Sequence, residues 1–283
     1  MHLPFQIDLQ DKVIAITGGG GVIGSTFAKA VAACGAKVAI LELKKEKAIL
    51  VADAITAAGG IATAHAANVL DKESLLRAKE EVQKSLGSCD ILINGAGGNH
   101  PKGTTTLEYY HPKDEEKEEL ISFFDLDPEG VSFVFNLNFL GTLLPTQVFA
   151  ADMIEKKDAS IINISSMNAF SPLTKIPAYS GAKAAVSNFT KWLAVHFSKV
   201  GIRVNAIAPG FFVTKQNHSL LYNPDGSITP RSEKILSQTP MNRFGEVEEL
   251  LGTLLWLLCP AASSFVNGTV IPVDGGFSAY SGV

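Results

Sequence analysis

The sequence predicts an α/β fold: one domain over residues 1–283, built on a doubly wound parallel sheet. Three observations predict it. Short β-branched apolar runs alternate along the chain with stretches of helical periodicity, the order that gives parallel sheets covered by helices. The first apolar run ends in four consecutive glycines, Gly18 to Gly21, and a helical stretch follows directly. The 283 residues are 46% apolar and 18% charged, enough to fill one large core and too apolar for a disordered protein.

The elements follow in order. Val13–Thr17 (VIAIT) is a strand buried on both faces. Val22 to Cys34 has helical spacing, with Gly35 as its stop. Lys37–Leu41 is the second strand, Lys44–Ala58 a helix closed by Gly59-Gly60, and Ile61–His65 the third strand. Asp71, with Ser74 nearby, begins a helix reaching about Leu86, and Cys89–Ile93 is the fourth strand. Val131–Ile154 reads as a helix that Pro145 bends. Strand Ser160–Ile164, helix Ala178–Ser198, strand Ile202–Ala206, helix Glu246–Leu258 and strand Thr269–Pro272 complete the alternation.

Two insertions interrupt it, at about 99–130 and 211–245. Both follow strands, so both emerge at the carboxyl edge of the sheet, where ligands bind in such folds. The acidic run Asp114 to Glu119 reads as a solvated helix face. A net charge of −4 gives no basic footprint for nucleic acid. The longest nearly apolar stretch, Leu250 to Ala262, is shorter than the ~20 residues of a membrane span, and the N-terminus, with Asp8 and Asp11, has no signal pattern. Cys34, Cys89 and Cys259 lie far apart, without zinc or redox spacing, and suit a reducing cytoplasm; no metal site is expected.

The glycine turn is the first chemical signal. Gly18, Gly20, Gly21, Ile23 and Gly24 lie between a strand and a helix N-terminus, where backbone amides can approach a pyrophosphate. Glu42 ends the second strand at the distance expected for a carboxylate that bonds ribose hydroxyls and repels a 2′-phosphate, which favours NAD over NADP. A strand-end carboxylate is equally a surface charge, and Lys44 and Lys45 could reach a phosphate. Tyr179 and Lys183 stand four apart on one helix face. A phenol needs its pKa lowered from about 10 for acid/base work near neutrality, and a neighbouring ammonium does that. Such a pair also occurs by chance; Ser166 and Asn138 matter because each belongs at the same sheet edge.

These residues resemble the short-chain dehydrogenase/reductase family over nearly the whole sequence. The resemblance is carried by Thr17 to Gly24, Asn94-Gly95-Ala96-Gly97, Asn138 before Gly141, Ile164-Ser165-Ser166, Tyr179 to Lys183, Pro209-Gly210 and Asp274-Gly275-Gly276. It implies a Rossmann fold with strand order 3-2-1-4-5-6-7 and a homotetramer. It also implies Tyr179 as general acid/base, Lys183 holding the nicotinamide ribose and lowering the Tyr179 pKa, Ser166 bonding the reacting oxygen, and Asn138 anchoring a relay water. Asn68 and Val69 along the adenine, Asn94, Ala96 and Gly97 along the cofactor, and Pro209, Gly210 and Thr214 at the carboxamide complete the set. Asn94 also reads as a tie between strands, and Asn68 as a strand terminator. Two positions depart from the family pattern: Val22 replaces its middle glycine, where a β-branched residue restricts the backbone, and Gly95 replaces its second Asn.

The stretches Asn94 to Pro101 and Phe135 to Gln147 resemble a narrower group within that family, the D-mannonate oxidoreductases or fructuronate reductases. That resemblance implies NAD-dependent interconversion of D-mannonate and D-fructuronate. Other sugar acids or polyols, such as gluconate at its 5-position, are the alternative, and a catalytically silent NAD-binding regulator is a further one. A sugar acid needs hydroxyl partners, for which Asn99, His100 and Asn168 are candidates. Its carboxylate needs a cation, for which Lys215, Arg231 and Arg243 are candidates. Arg243 could instead pair with Glu246 or Glu248, and His100 could cap a turn.

Overall fold

Strands whose side chains are apolar at successive positions can only be stable with cover on both sides, and that requirement shapes the molecule. A computed structural model describes residues 7–112, 119–214 and 217–282. Its strands are β1 (Val13–Thr17), β2 (Lys37–Glu42), β3 (Ile61–Ala66), β4 (Ile91–Asn94), β5 (Ser160–Ile164), β6 (Arg203–Pro209) and β7 (Val270–Val273). They form one sheet in the order β3-β2-β1-β4-β5-β6-β7, with all neighbours parallel. The reversal of direction lies beside β1, so the ends of β1 and β4 flank the crevice where such sheets take ligands.

Period-two alternation sends neighbouring residues into two different cores. Ile14, Ile16, Val38 and Ile40 pack on one face, against α1 (Val22–Ala33) and α2 (Lys45–Ala57). Val13, Ala15, Ala39 and Leu41 pack on the other, against Leu75, Ala78 and Val82 of α3 (Lys72–Ser85). Asp71 caps α3 by accepting from the amides of Glu73 and Ser74, as its place before the apolar periodicity predicts.

The long central helix differs from its prediction. It runs unbroken from 128 to 152 as α4 (Pro128–Phe135), a π-helical turn at Asn136–Leu140, α5 (Gly141–Phe149) and a final 3-10 turn. It starts three residues before Val131 because Asp127 caps it and Pro128, lacking an N–H, fits its first turn. The irregular turn precedes Pro145 and centres on Asn138. By length and composition this 25-residue run could cross a membrane, a property that its interspersed polar residues hide from a reading of contiguous apolar stretches. It packs on α3 and β4, buries Val148 and Phe149 in the second core, and carries the buried polar residues Asn138, Thr142 and Thr146, so it is a core helix of the α/β domain.

α6 (Pro177–His196) follows β5 and covers the second face. Strand β6 continues to Pro209, beyond the expected Ala206, since Ile207 and Ala208 are buried in the sheet. The second insertion holds α7 (His218–Leu221) and α8 (Pro230–Ser237). Where a helix from Glu246 was expected, Glu246 and Glu249 form a capping box around a 3-10 turn, and α9 (Leu251–Leu258) starts after it. The acidic run lies outside the described residues except for Glu119, and so does Lys215.

Candidate active site

The glycine turn is shaped by close approaches that no side chain would permit. Gly18 has φ +64°, and a Cβ there would stand 2.9 Å from the Ala96 backbone. A Cβ on Gly24 would run into the Gly18 carbonyl oxygen, so α1 starts against the turn itself. Thr17, fully buried, accepts through Oγ1 from the amides of Gly95 (3.1 Å) and Ala96 (3.3 Å), which joins the ends of β1 and β4. Val22 does not restrict the turn: it is the first residue of α1, outside the left-handed region, with its side chain against the first core. Ile23 likewise packs on that core, which leaves its backbone for a ligand. Gly95 suits its place, since a Cβ would lie 2.8 Å from the Thr17 carbonyl oxygen.

Glu42 reaches back to this turn. Its Oε2 accepts from the Gly20 amide at 3.2 Å and its Oε1 from Leu43 N at 3.1 Å. The carboxylate therefore stands at the mouth of the turn, where a ribose next to a bound pyrophosphate would meet it. Amides, an open glycine cradle and a carboxylate together fit a dinucleotide.

A second cluster assembles across the same edge from four separate elements. Asn138 is fully buried in the π turn; its Nδ2 donates to Gly98 O (2.7 Å) and Val134 O (2.8 Å), and its Oδ1 accepts from Gly98 N (3.3 Å). A Cβ on Gly97 would lie 2.7 Å from Asn138 Oδ1 and 3.2 Å from Lys183 Nζ, so these three residues meet at one point. Lys183 is buried, and its Nζ donates to Ile164 O at 2.7 Å and lies 5.7 Å from the Tyr179 ring centroid. Ser165 is held on α6 by Lys183 O (3.2 Å) and Ser187 Oγ (2.7 Å), whereas the Ser166 side chain is the one that acts on the Tyr179 phenol. The structure thus separates Ser165 from Ser166, the serine that the family resemblance singles out 13 residues before Tyr179.

The electrostatics correct one expectation. The Tyr179 phenol is pushed up from its ordinary value by burial, with the Ser166 hydrogen bond pulling in the opposite direction. Lys183 does not lower it here. Desolvation brings the Lys183 ammonium itself down to about 8, and its proton is directed at the Ile164 carbonyl.

The other anticipated contacts divide. Asn94 is a structural tie: its Nδ2 bonds Thr146 Oγ1 (3.0 Å) and Asn163 Oδ1 (2.9 Å), while its buried Oδ1 has no partner among the described residues. Asn68 is exposed beyond β3 and accepts from Leu70 N, and the neighbouring Val69 is buried beside Gly141. Pro209 ends β6, Gly210 N bonds Val273 O, and Thr214 is held by Asn217 through its amide and hydroxyl.

Arg243, a candidate for a substrate carboxylate, already has a partner within the chain. Its guanidinium makes two 2.7 Å bonds to Glu249, a fork that satisfies it internally, and it borders a separate cavity of about 110 Å³ with Phe211 and Asp274. Neither Glu246 nor Glu248 is that partner. Arg231 is exposed on α8. Asn99 Nδ2 bonds Thr104 Oγ1 at 3.0 Å, and His100 Nδ1 caps its own turn at Lys102 N with the ring 5.2 Å from Phe133. Asn168 is buried next to Ser166. Sequence reasoning missed the Glu108–Lys234 ion pair (2.8 Å), which joins the two insertions, and a cavity of about 230 Å³ between Tyr109, Phe123, Thr174 and Pro177. Both join segments remote in sequence, so no local signal marks them.

Comparison with known proteins gives this geometry its context. The short chain dehydrogenase family model matches residues 12–224. A crystal structure from Haemophilus influenzae, of a protein provisionally named a D-mannonate oxidoreductase and containing bound NAD, superposes with a TM-score of 0.95 at 58% identity, covering 100% of both chains. The uncharacterized oxidoreductase UxuB of Bacillus subtilis is 55% identical over 99% of this chain and 100% of its own. A Burkholderia cenocepacia gluconate 5-dehydrogenase, solved with NADP and tartrate, superposes with a TM-score of 0.81 at 30% identity over 98% of this chain and 99% of its own. With its sheet order, glycine turn and Ser166–Tyr179–Lys183 cluster, the protein belongs to the short-chain dehydrogenase family.

Proposed function

We propose that this protein is an NAD-dependent oxidoreductase that interconverts a hydroxyl and a ketone on a sugar acid, most specifically D-mannonate and D-fructuronate. The observation that carries the reading is the junction of Ser166, Tyr179, Lys183 and Asn138 at the sheet edge that also holds the glycine turn and Glu42. The NAD bound by the 58% identical Haemophilus protein and the provisional name of that protein support it.

The glycine turn, Ile23, Glu42, Asn68, Val69, the backbone of Asn94, Ala96 and Gly97, and the Pro209, Gly210 and Thr214 segment would hold the dinucleotide. Bound there, the nicotinamide supplies the exchange of hydride with the reacting carbon. In our reading Tyr179 gives a proton to the ketone oxygen in reduction and takes it from the alcohol in oxidation. Ser166 orients that oxygen, since its side chain is the one that acts on the phenol. Lys183 would hold the nicotinamide ribose, and Asn138, satisfied on Gly98 and Val134, would fix a water that passes protons outward. Asn99 Oδ1 and His100 Nε2 have no partner among the described residues and are our choice for substrate hydroxyls. We further propose a homotetramer in the cytoplasm; the exposed apolar residues Trp192 and Val195 on α6, together with the thiols of Cys34 and Cys89, which form no disulfide, support this.

A substrate panel with both cofactors tests the reading. Mannonate should produce NADH, gluconate and neutral polyols should not, and NADP should serve poorly beside Glu42. Tyr179→Phe should lose about a hundred- to ten-thousandfold in turnover while still binding NADH, the range typical of positioned proton transfer. Preference for gluconate would move the assignment toward the gluconate 5-dehydrogenase relatives, and an active Tyr179→Phe would remove the mechanism.

A further inference from the structure

We infer that Asn163 is a positioning residue: through hydrogen bonds to Asn94 and Thr190 it fixes the helix that carries Tyr179 and Lys183 relative to the helix that carries Asn138. The inference rests on the proposed function, in which those three side chains act together on one substrate.

Asn163 lies in β5, is fully buried, and stands opposite Asn94 in the parallel register of β4 and β5. Strand alternation turns both side chains toward the second core, where Leu92 and Ile161, two residues earlier on the same strands, are packed. Two amides thus stand in line with apolar residues, on the face that α5 and α6 cover through Phe149 and Leu193. Apolar side chains in those places would have no amide to desolvate, so the amides call for a use other than core filling.

The polar groups form one continuous series. Asn94 Nδ2 donates to Thr146 Oγ1 at 3.0 Å and to Asn163 Oδ1 at 2.9 Å. Asn163 Nδ2 donates to Thr190 Oγ1 at 2.9 Å, and Thr190 Oγ1 donates to Val186 O at 2.8 Å, on α6 three residues past Lys183. In the other direction Thr146 Oγ1 donates to Thr142 O at 2.7 Å, and Thr142 Oγ1 donates to Asn138 O at 2.8 Å. Asn94, Asn138, Thr142, Thr146, Asn163 and Thr190 are each 2% exposed or less, so water does not compete for these bonds. Ser165 holds α6 too, but its bonds go to Lys183 O, Ser187 Oγ and Ile207 O and do not join α6 to the helix of Asn138. In this series Asn163 makes that connection, with both polar atoms of its side chain engaged.

Apolar packing is non-directional and lets a helix slide by fractions of an ångström, whereas a hydrogen bond fixes both length and angle. Proton transfer works only within hydrogen-bond reach, and a displacement of about 1 Å from a change far from the chemistry costs about a hundredfold in rate. A buried series anchored at the Asn138 carbonyl and at α6 below Lys183 holds the two helices to that tolerance.

The test measures the single-turnover oxidation rate, KM and NADH affinity on the substrate that the wild type oxidises. The variants are Asn163→Leu, which keeps the branched outline without the polar atoms, with Thr190→Val and Thr190→Ser. Asn163→Leu and Thr190→Val should each lose about ten- to hundredfold in rate per folded molecule, with KM and NADH affinity within about threefold of wild type. Thr190→Ser keeps the hydroxyl and should stay within about threefold of the wild-type rate. The double variant should match Asn163→Leu to within about threefold, because both changes break one connection. A role in stability alone would lower Tm and leave the rate of the folded protein unchanged. An unchanged rate in folded Asn163→Leu, equal losses in Thr190→Ser and Thr190→Val, or fully additive losses in the double variant would therefore overturn the inference. If neither Asn163→Leu nor Thr190→Val folds, a crystal structure of the wild type with cofactor and substrate decides. Asn163 bonded to both Asn94 and Thr190, with Tyr179 on the reacting oxygen, supports the inference, and the loss of either bond overturns it. A wild type inactive on every sugar acid would remove the proposed function and this inference with it, an outcome visible before any variant is made.

Discussion

A phenol that burial has pushed up and an ammonium that burial has drawn down to about 8 set the chemistry at the residue scale. In the proposed reaction, oxidation of an alcohol needs Tyr179 as phenolate, whose fraction rises about tenfold per pH unit while the pH is below its pKa. Reduction of the ketone needs the protonated phenol, already dominant at neutrality, together with the charged Lys183. Log kcat/KM for oxidation should therefore climb with pH across the neutral range. For reduction it should stay flat until about pH 8 and then fall as Lys183 loses its proton. Stopped-flow or steady-state profiles in both directions check this, and a reduction rate that increases with pH would contradict it. The Tyr–Lys spacing was legible in the sequence because four residues make about one helical turn. The direction of the tyrosine shift was not, because it depends on what surrounds the ring and on Lys183 bonding Ile164 O, a residue 19 positions earlier.

At the scale of elements, the passage from β1 to α1 is the most constrained segment. Gly24 stands against the Gly18 carbonyl and 2.9 Å from Gly19 Cα when given a Cβ, so Gly24→Ala must open the turn. Forced overpacking of this kind costs about 1–3 kcal/mol. Where that cost falls on the bound state, it weakens NADH affinity roughly ten- to hundredfold. Titration of protein fluorescence with NADH measures the effect, and a G24A protein of unchanged affinity would show that the turn does not carry the cofactor. The central helix shows where element-level reading loses detail. Its existence follows from apolar periodicity, yet the π turn at Asn136–Leu140 has no composition of its own. It accompanies a side chain, Asn138, that bonds both Gly98 and the Val134 carbonyl one turn back.

For the whole molecule, the sheet collects on one edge everything that the sequence spreads over 283 residues. The ends of β1, β2, β4, β5 and β6 supply the glycine turn, Glu42, the Asn94 segment, Ser166 and Gly210 in turn. The two insertions join through Glu108 and Lys234, an exposed ion pair that salt would screen. Apolar side chains left on the outside, including Trp192, Val195 and the fully exposed Phe265, are surface that the proposed assembly would cover. If that assembly is the homotetramer, analytical ultracentrifugation should find a particle of about four times the mass of one copy. A monomer at micromolar concentration would refute the proposed assembly.

The sequence by itself determined the order and kind of the elements and the glycine turn, which depend on periodicity and on a φ only glycine tolerates. The acid/base cluster came from resemblance to a family and stands as a proposal. Asp71 as a helix cap is the simplest case, since both of its acceptor bonds are local. Tertiary structure alone decided that Asn94 ties strands, that Arg243 pairs with Glu249, and that Asn168 keeps an oxygen without a partner. Burial and hydrogen-bond partnership are properties of the packed molecule: desolvation and distance are set by residues tens to hundreds of positions away, and no local pattern encodes them.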